Sequence, residues 1–259
     1  MTSTTTTPGS ATTAVALSGV TKVYGRGESA VLALDGVSLD VAPGEFVCLV
    51  GASGCGKSTL LNLVAGLDQP TAGQIDLAGD INPGLMFQEP ALFPWLTVDA
   101  NVEVPLKLRG LPRAKRRERV AELLRTVHLG EFGRKRPHEL SGGMRQRVAL
   151  ARTLALDTPV LLMDEPFGAL DAMTRDILHD ELERIWSERN LSVLFVTHNV
   201  REAARLADRI ILLSSRPGRI IYSTEVNIPR PRRIDSPEVA AIAADVTERL
   251  RTEVGRHGQ

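Results

Sequence analysis

Phe46-Val-Cys-Leu-Val-Gly-Ala-Ser-Gly-Cys-Gly-Lys-Ser-Thr-Leu-Leu-Asn-Leu-Val-Ala-Gly66 is the stretch from which the rest of the chain can be read. Phe46–Val50 is an apolar run of strand length that enters a glycine-rich segment without a break. Gly51-Ala-Ser-Gly-Cys-Gly-Lys-Ser58 satisfies the phosphate-loop pattern in full. In such a loop the glycines let backbone N–H groups close around phosphate oxygens, the lysine reaches the terminal phosphates, and the serine hydroxyl serves Mg²⁺. From Lys57 the apolar residues fall at helical spacing up to Gly66, a suitable residue just past a helix end. Gly51, Ala52, Ser53, Gly54, Cys55, Gly56, Lys57, Ser58 and Thr59 are therefore candidate nucleotide contacts, in a strand, loop and helix that follow in the order the chemistry requires.

A second segment completes the chemistry. Val160-Leu-Leu-Met-Asp-Glu165 is an apolar strand that ends in two carboxylates, as a buried strand delivering acids to a metal would. Asp164 is placed to hold Mg²⁺ through water, and Glu165 to polarise an attacking water as general base. β-type runs at Ser192–Thr197 and Ile210–Leu213 follow, separated by helical patterns at 172–187 and 200–207. Strands alternating with helices predict a parallel sheet covered on both faces. Arg219–Thr224 reads as an antiparallel edge, and 236–259 as a terminal helix and tail.

Upstream, short β-type segments between about Ala14 and Leu49 alternate with turns at Asp35-Gly36 and Pro43-Gly44, giving an antiparallel β portion. The middle, about 89–156, lacks strand alternation. It contains Pro112–His128, whose Val120, Leu123, Leu124 and Val127 share a face, and reads as an inserted helical subdomain. The basic run Arg113–Arg119 in it is either a solvated helix face or a lipid-headgroup contact. Residues 1–13 are Thr/Ser-rich and read as a disordered leader, with 14–235 the nucleotide-binding domain.

The 259 residues hold 31 Lys+Arg against 31 Asp+Glu, so no net positive field argues for nucleic acid. No apolar run approaches the roughly 18–20 residues of a membrane helix, and nothing resembles a secretion signal. Cys48 and Cys55 have neither metal spacing nor a disulfide framework, as expected of a reducing, cytoplasmic setting.

Leu140-Ser-Gly-Gly-Met144, just before the acidic strand, resembles the signature of ABC ATPases, and with the phosphate loop the chain is identified as a member of that family. The resemblance covers about Val15–Tyr222. It implies a phosphate-loop, RecA-like α/β core and a head-to-tail homodimer. In that dimer Ser141, Gly142 and Gly143 meet the γ-phosphate of ATP held by the other subunit. It further implies that Gln88 senses Mg²⁺ and the attacking water, that Asp171 in Gly168–Asp171 contacts the dimer partner, and that His198 is the switch histidine. Tyr24 resembles the aromatic that stacks on adenine, an exposed strand tyrosine being the other reading. Met144 stands where the family most often has Gln; the phosphate contacts run through the three residues before it, so activity is expected to survive. Cys55 is either thiol-reactive or simply a small residue that the loop tolerates.

The resemblance also implies partners: integral-membrane permease subunits, and through them an extracytoplasmic substrate-binding protein. The chain is then peripheral on the cytoplasmic face of the membrane. Phe93 and Trp95, in Gln88–Thr97, line the permease socket or belong to the core. The tail after the last predicted strand is too short for an added regulatory β-domain. Phe93-Pro-Trp95-Leu-Thr, Met144, Phe167–Asp171 and Arg216-Pro-Gly-Arg-Ile resemble the nitrate, sulfonate and taurine import branch. Organic sulfonate or taurine is the first expected cargo, then nitrate or a similar anion, then a pyrimidine-type precursor. Two rival classes fit less well. A soluble non-transport ABC ATPase would carry two cassettes or a long insertion, and a GTPase-like switch would carry Asn-Lys-x-Asp.

Overall fold

The computed structural model describes residues 13–257 apart from Asp80 and Ala169, so the expected leader falls almost wholly outside the described residues. The chain runs through β1 (Val15–Tyr24), β2 (Val31–Val41), β3 (Phe46–Val50), α1 (Lys57–Val64), β4 (Ala72–Leu77) and β5 (Gly84–Met86). Helices α2 (Val98–Leu108), α3 (Arg113–Thr126) and α4 (Gly142–Leu154) follow without an intervening strand. Then come β6 (Val160–Asp164), α5 (Ala172–Arg189), β7 (Ser192–Val196), α6 (Val200–Leu206), β8 (Arg209–Leu213), β9 (Ile220–Glu225) and α7 (Pro237–His257).

Two sheets form. β2-β1-β4 is antiparallel, and β5-β6-β7-β3-β8-β9 is parallel except for β9, which runs antiparallel to β8 at the edge. The α/β architecture expected from the strand and helix alternation is thus present; its antiparallel sheet takes β1 and β2 from the N-terminal segment as expected but is completed by β4 from beyond the phosphate loop, while β3 joins the parallel sheet.

β3 lies inside the larger sheet and is buried along its whole length, which is why it reads as unbroken apolar sequence rather than an alternation. Its side chains still alternate between faces. Phe46, Cys48 and Val50 join the core formed with α4–α7, whereas Val47 and Leu49 join the one formed with α1, β1 and β2. The phosphate loop therefore emerges from a strand wedged between two cores, with little freedom at its root.

β4 and β5 were not legible in advance. β4 is exposed at four of its six positions and shows no clear apolar alternation, and β5 has only three residues. In the helical stretch, Thr97 caps α2 by accepting from the Ala100 N–H at 3.2 Å. Val120, Leu123, Leu124 and Val127 are all buried, as the spacing predicts. On the opposite face Arg113, Lys115 and Arg117 are exposed, while Arg116 pairs with Glu103 at 2.7 Å and Arg119 with Glu122 at 2.5 Å.

Candidate nucleotide site

In a parallel sheet every strand delivers its C-terminal residue to the same edge, and that edge is where ligands of such sheets bind. Here β3 ends in the phosphate loop, β6 in Asp164 and Glu165, and β7 in Thr197 and His198. Segments far apart in sequence thus converge on one cleft of about 780 Å³. It is lined by Tyr24, Ser53, Gly54, Gly56, Lys57, Ser58, Thr59, Gln88, Glu165 and His198, together with Val31, Ala33 and Arg216.

The loop's glycines are needed by geometry. Gly56 has φ +105°, and a Cβ there would lie 2.7 Å from Leu34 Cδ2 and 3.0 Å from the Ala33 carbonyl. Lys57 is buried and curls back, its Nζ donating to the Gly51 and Ala52 carbonyls at 2.9 Å each. These bonds hold the ammonium inside the loop, where it is close to any phosphate that the loop encloses. No side chain caps the start of α1, so its first N–H groups are left to a ligand. Cys55 is buried behind the loop, and burial pushes its thiol up against the opposing pull of Lys57. That argues against the reactive alternative for Cys55.

Asp164 accepts a hydrogen bond from Ser58, and burial holds its carboxyl above the ordinary range despite that bond. A desolvated carboxylate beside a hydroxyl is an oxygen donor set suited to a hard cation such as Mg²⁺. Among the described residues no group of three or more His, Cys, Asp or Glu side chains forms a metal cage, so such an ion would rest on Ser58, Asp164 and the cleft-lining Gln88, with water and phosphate. Glu165 has φ +43°, a left-handed conformation costly for a residue with a side chain. It is held there by its N–H to the Val196 carbonyl (2.9 Å) and by the Gly168 N–H on its own carbonyl (3.2 Å). Its Oε2 lies 2.9 Å from His198 Nδ1.

Three connections around the cleft were not anticipated. Gln88 is exposed to the cleft, but its carbonyl accepts from Gln146 Nε2 at 2.6 Å, and Arg152 donates to the Pro90 and Ala91 carbonyls at 2.8 and 2.7 Å. α4 thereby grips the segment that carries Gln88. Behind His198, Thr197 donates to Glu202, and Glu202 faces buried His179 Nε2 at 2.6 Å. Arg205 meets His179 Nδ1 at 3.0 Å, so α5 and α6 jointly hold the turn that presents His198. Arg216 is the third. Glu202 follows His198 at helical spacing, a signal that could have been read; the partners of Gln88 and the approach of Arg216 left no trace in local sequence.

Tyr24 sits at the cleft, 41% exposed, its hydroxyl donating to Asp68 at 3.2 Å. Ser141 caps α4, accepting from the Met144 N–H at 3.2 Å, and Met144 packs against the core. Ser141, Gly142 and Gly143 do not line the cleft that holds Lys57. Asp171 caps α5 through the Thr174 N–H at 2.9 Å, and that bond holds its carboxyl below the usual range. Trp95 is 68% and Phe93 36% exposed, with ring centroids 5.6 Å apart. The core alternative for these two rings is thereby excluded. No helix among the described residues is long and apolar enough to cross a membrane.

The family profile described as ABC transporter matches residues 34–168. A nitrate import ATP-binding protein of Synechocystis sp. is 48% identical over 80% of this chain and 80% of its own. An aliphatic sulfonates import ATP-binding protein of Bacillus licheniformis is 44% identical over 89% and 92%. Among solved structures, a dimeric post-hydrolysis state of the ATP-binding cassette MJ0796 with ADP and Pi superimposes with a TM-score of 0.75. It is 35% identical, and the match covers 83% of this chain and all of that one.

Proposed function

The chain belongs to the ABC transporter ATP-binding family, whose members couple ATP hydrolysis to transport, and from that premise we propose that it is the ATPase subunit of an importer for a small anion. The observation that carries the mechanism is the separation of two half-sites. The cleft around Lys57 and Glu165 has no signature residue in its lining, so ATP bound there needs Ser141–Gly143 from a second copy arranged head to tail. The dimeric cassette with a TM-score of 0.75, bound to ADP and Pi, supports the pairing of two copies.

In this reading Tyr24 stacks on adenine, while the N–H groups of Gly54–Thr59 and the Lys57 ammonium hold the phosphates. Ser58, Asp164 and Gln88 would hold Mg²⁺ here, and the ion would supply neutralisation of phosphate charge. Glu165 takes a proton from the attacking water, and His198, 2.9 Å from its carboxylate, orients it and contacts the γ-phosphate. Asp171 packs against the partner subunit. ATP binding closes the dimer and hydrolysis reopens it.

The helices within 89–156 move as a subdomain inside the 14–235 domain. Exposed Phe93 and Trp95, on the segment that α4 grips, dock the permease and keep the chain on the cytoplasmic face of the membrane, while cargo is selected on the far side by an extracytoplasmic binding protein that reaches this chain only through the permease. An aliphatic sulfonate such as taurine is the first candidate and nitrate the second, supported by the two import relatives. Glu165→Gln tests the core of this reading. ATP affinity is retained, turnover falls at least ~100-fold, and the protein runs as a dimer in ATP. Near-normal hydrolysis overturns the assignment of Glu165.

A further inference from the structure

The turn between β8 and β9 is built to press on the phosphate loop. Ser214 closes it, its N–H donating to the Arg219 carbonyl at 2.8 Å and its hydroxyl to the Pro217 carbonyl at 2.7 Å. Gly218 and Asp35 stitch it to β2, through Gly218 N–H to the Ala33 carbonyl (2.9 Å) and Asp35 N–H to the Gly218 carbonyl (3.0 Å). A Cβ on Gly218 would lie 2.2 Å from the Cys55 carbonyl, so only glycine permits this approach. The turn thus has a fixed seat, and it sets Arg216 on the lining of the nucleotide cleft.

Arg216 differs from the cations around it. Lys57 is satisfied by two carbonyls, Lys22 pairs with Asp68 at 2.6 Å, and Arg219 pairs with Asp35. The Arg216 guanidinium is exposed, forms no ion pair among the described residues, and touches only the Gly54 carbonyl, from Nε and Nη2 at 3.3 Å each. Two long bonds to one neutral acceptor hold a planar guanidinium weakly. A phosphate offers it two charged oxygens in matching geometry.

We propose that Arg216 is a nucleotide-binding residue that contacts the phosphate chain of ATP and ADP, supplied by the β8–β9 turn as a second cation beside Lys57 in the lining of the same cleft. The proposal rests on the reading of this cleft as the ATP site. The guanidinium exchanges the Gly54 carbonyl for phosphate oxygens, while that carbonyl stays exposed to water and loses little.

Calorimetric titration of the purified chain with MgATP and MgADP, at low and moderate salt, tests this. Arg216→Ala is expected to weaken both nucleotides about tenfold and to flatten the salt dependence of binding, with Arg216→Lys recovering part of the loss. Arg219→Ala, which removes a neighbouring paired charge of the same turn, is expected to bind as wild type. Wild-type affinity in Arg216→Ala overturns the proposal, as does a loss whose salt dependence matches wild type, since a purely structural change does not remove a charge contact. The underlying reading is checked separately: if the wild-type chain binds neither nucleotide, or Lys57→Ala binds as tightly as wild type, the cleft itself is not the ATP site.

Discussion

Trp95→Ala distinguishes a docking aromatic from a packing one, and its cost can be worked out before the measurement. Trp95 is 68% exposed, so about a third of a side chain that buries up to ~250 Å² is withdrawn from water. At ~25 cal/mol per Å² that third is worth roughly 2 kcal/mol, an upper bound, and the alanine retains part of it. Phe46 is the control, fully buried with its ring 5.7 Å from Phe195 and 6.0 Å from Trp186, and Phe46→Ala should cost ~3–5 kcal/mol. For a chain of 259 residues, ~2.1 cal/mol/K per residue makes each kcal/mol worth about 2 °C in Tm. Trp95→Ala should therefore melt within ~4 °C of wild type and Phe46→Ala ~6–10 °C below it. In a pull-down with the co-expressed permease, Trp95→Ala should weaken capture by ~30-fold, the equivalent of a ~2 kcal/mol interface anchor. A Tm loss equal to that of Phe46→Ala would refute the exposed-anchor reasoning. Unchanged melting with normal capture and normal transport would refute the docking role.

Two further outcomes follow from the site geometry. Gly143→Asp puts a carboxylate at the N-terminus of α4, where it repels an incoming γ-phosphate. Hydrolysis should fall at least ~100-fold with nucleotide affinity of the monomer unchanged, and mixing with Lys57→Ala chains should restore part of it if the two sites act independently; an active Gly143→Asp homodimer contradicts the composite site. Asp164→Asn should raise the Tm without nucleotide, because burial disfavours the carboxylate. A folded pKa above the unfolded value means that stability falls as pH rises through that window, and the neutral amide removes this loss. The same variant should lose the Tm increase that Mg-ATP gives wild type, measured by thermal shift across pH 4–7, and an unchanged increase contradicts a metal role for Asp164.

Much of the site was legible because its chemistry is local. A phosphate loop works through consecutive backbone N–H groups, so Gly51–Ser58 carries its own geometry wherever a strand precedes it and a helix follows. Val160–Glu165 is legible for a related reason, a buried strand being uniformly apolar until it reaches the edge where its acids are needed. Short elements such as β5 were not, since three residues show no period. Phe93 and Trp95 illustrate the limit most directly. Large aromatic side chains are equally at home in a core or an interface, and only their exposure in the folded chain excluded the core.

The sequence by itself determined the phosphate loop, the acidic strand end, the helical middle and the α/β alternation, all properties of residues within one element. Only the tertiary structure decided which elements meet. The strand order β5-β6-β7-β3-β8-β9 brings the ends of β6, β7 and β8 beside the loop after β3, and so puts Glu165 against His198 and Arg216 against Gly54. It also left Gln88 in the grip of Gln146 and kept Ser141–Gly143 out of the cleft around Lys57. Periodicity and motif are written in neighbouring residues, whereas these meetings depend on how two cores close on either side of β3, a packing outcome that no local pattern encodes.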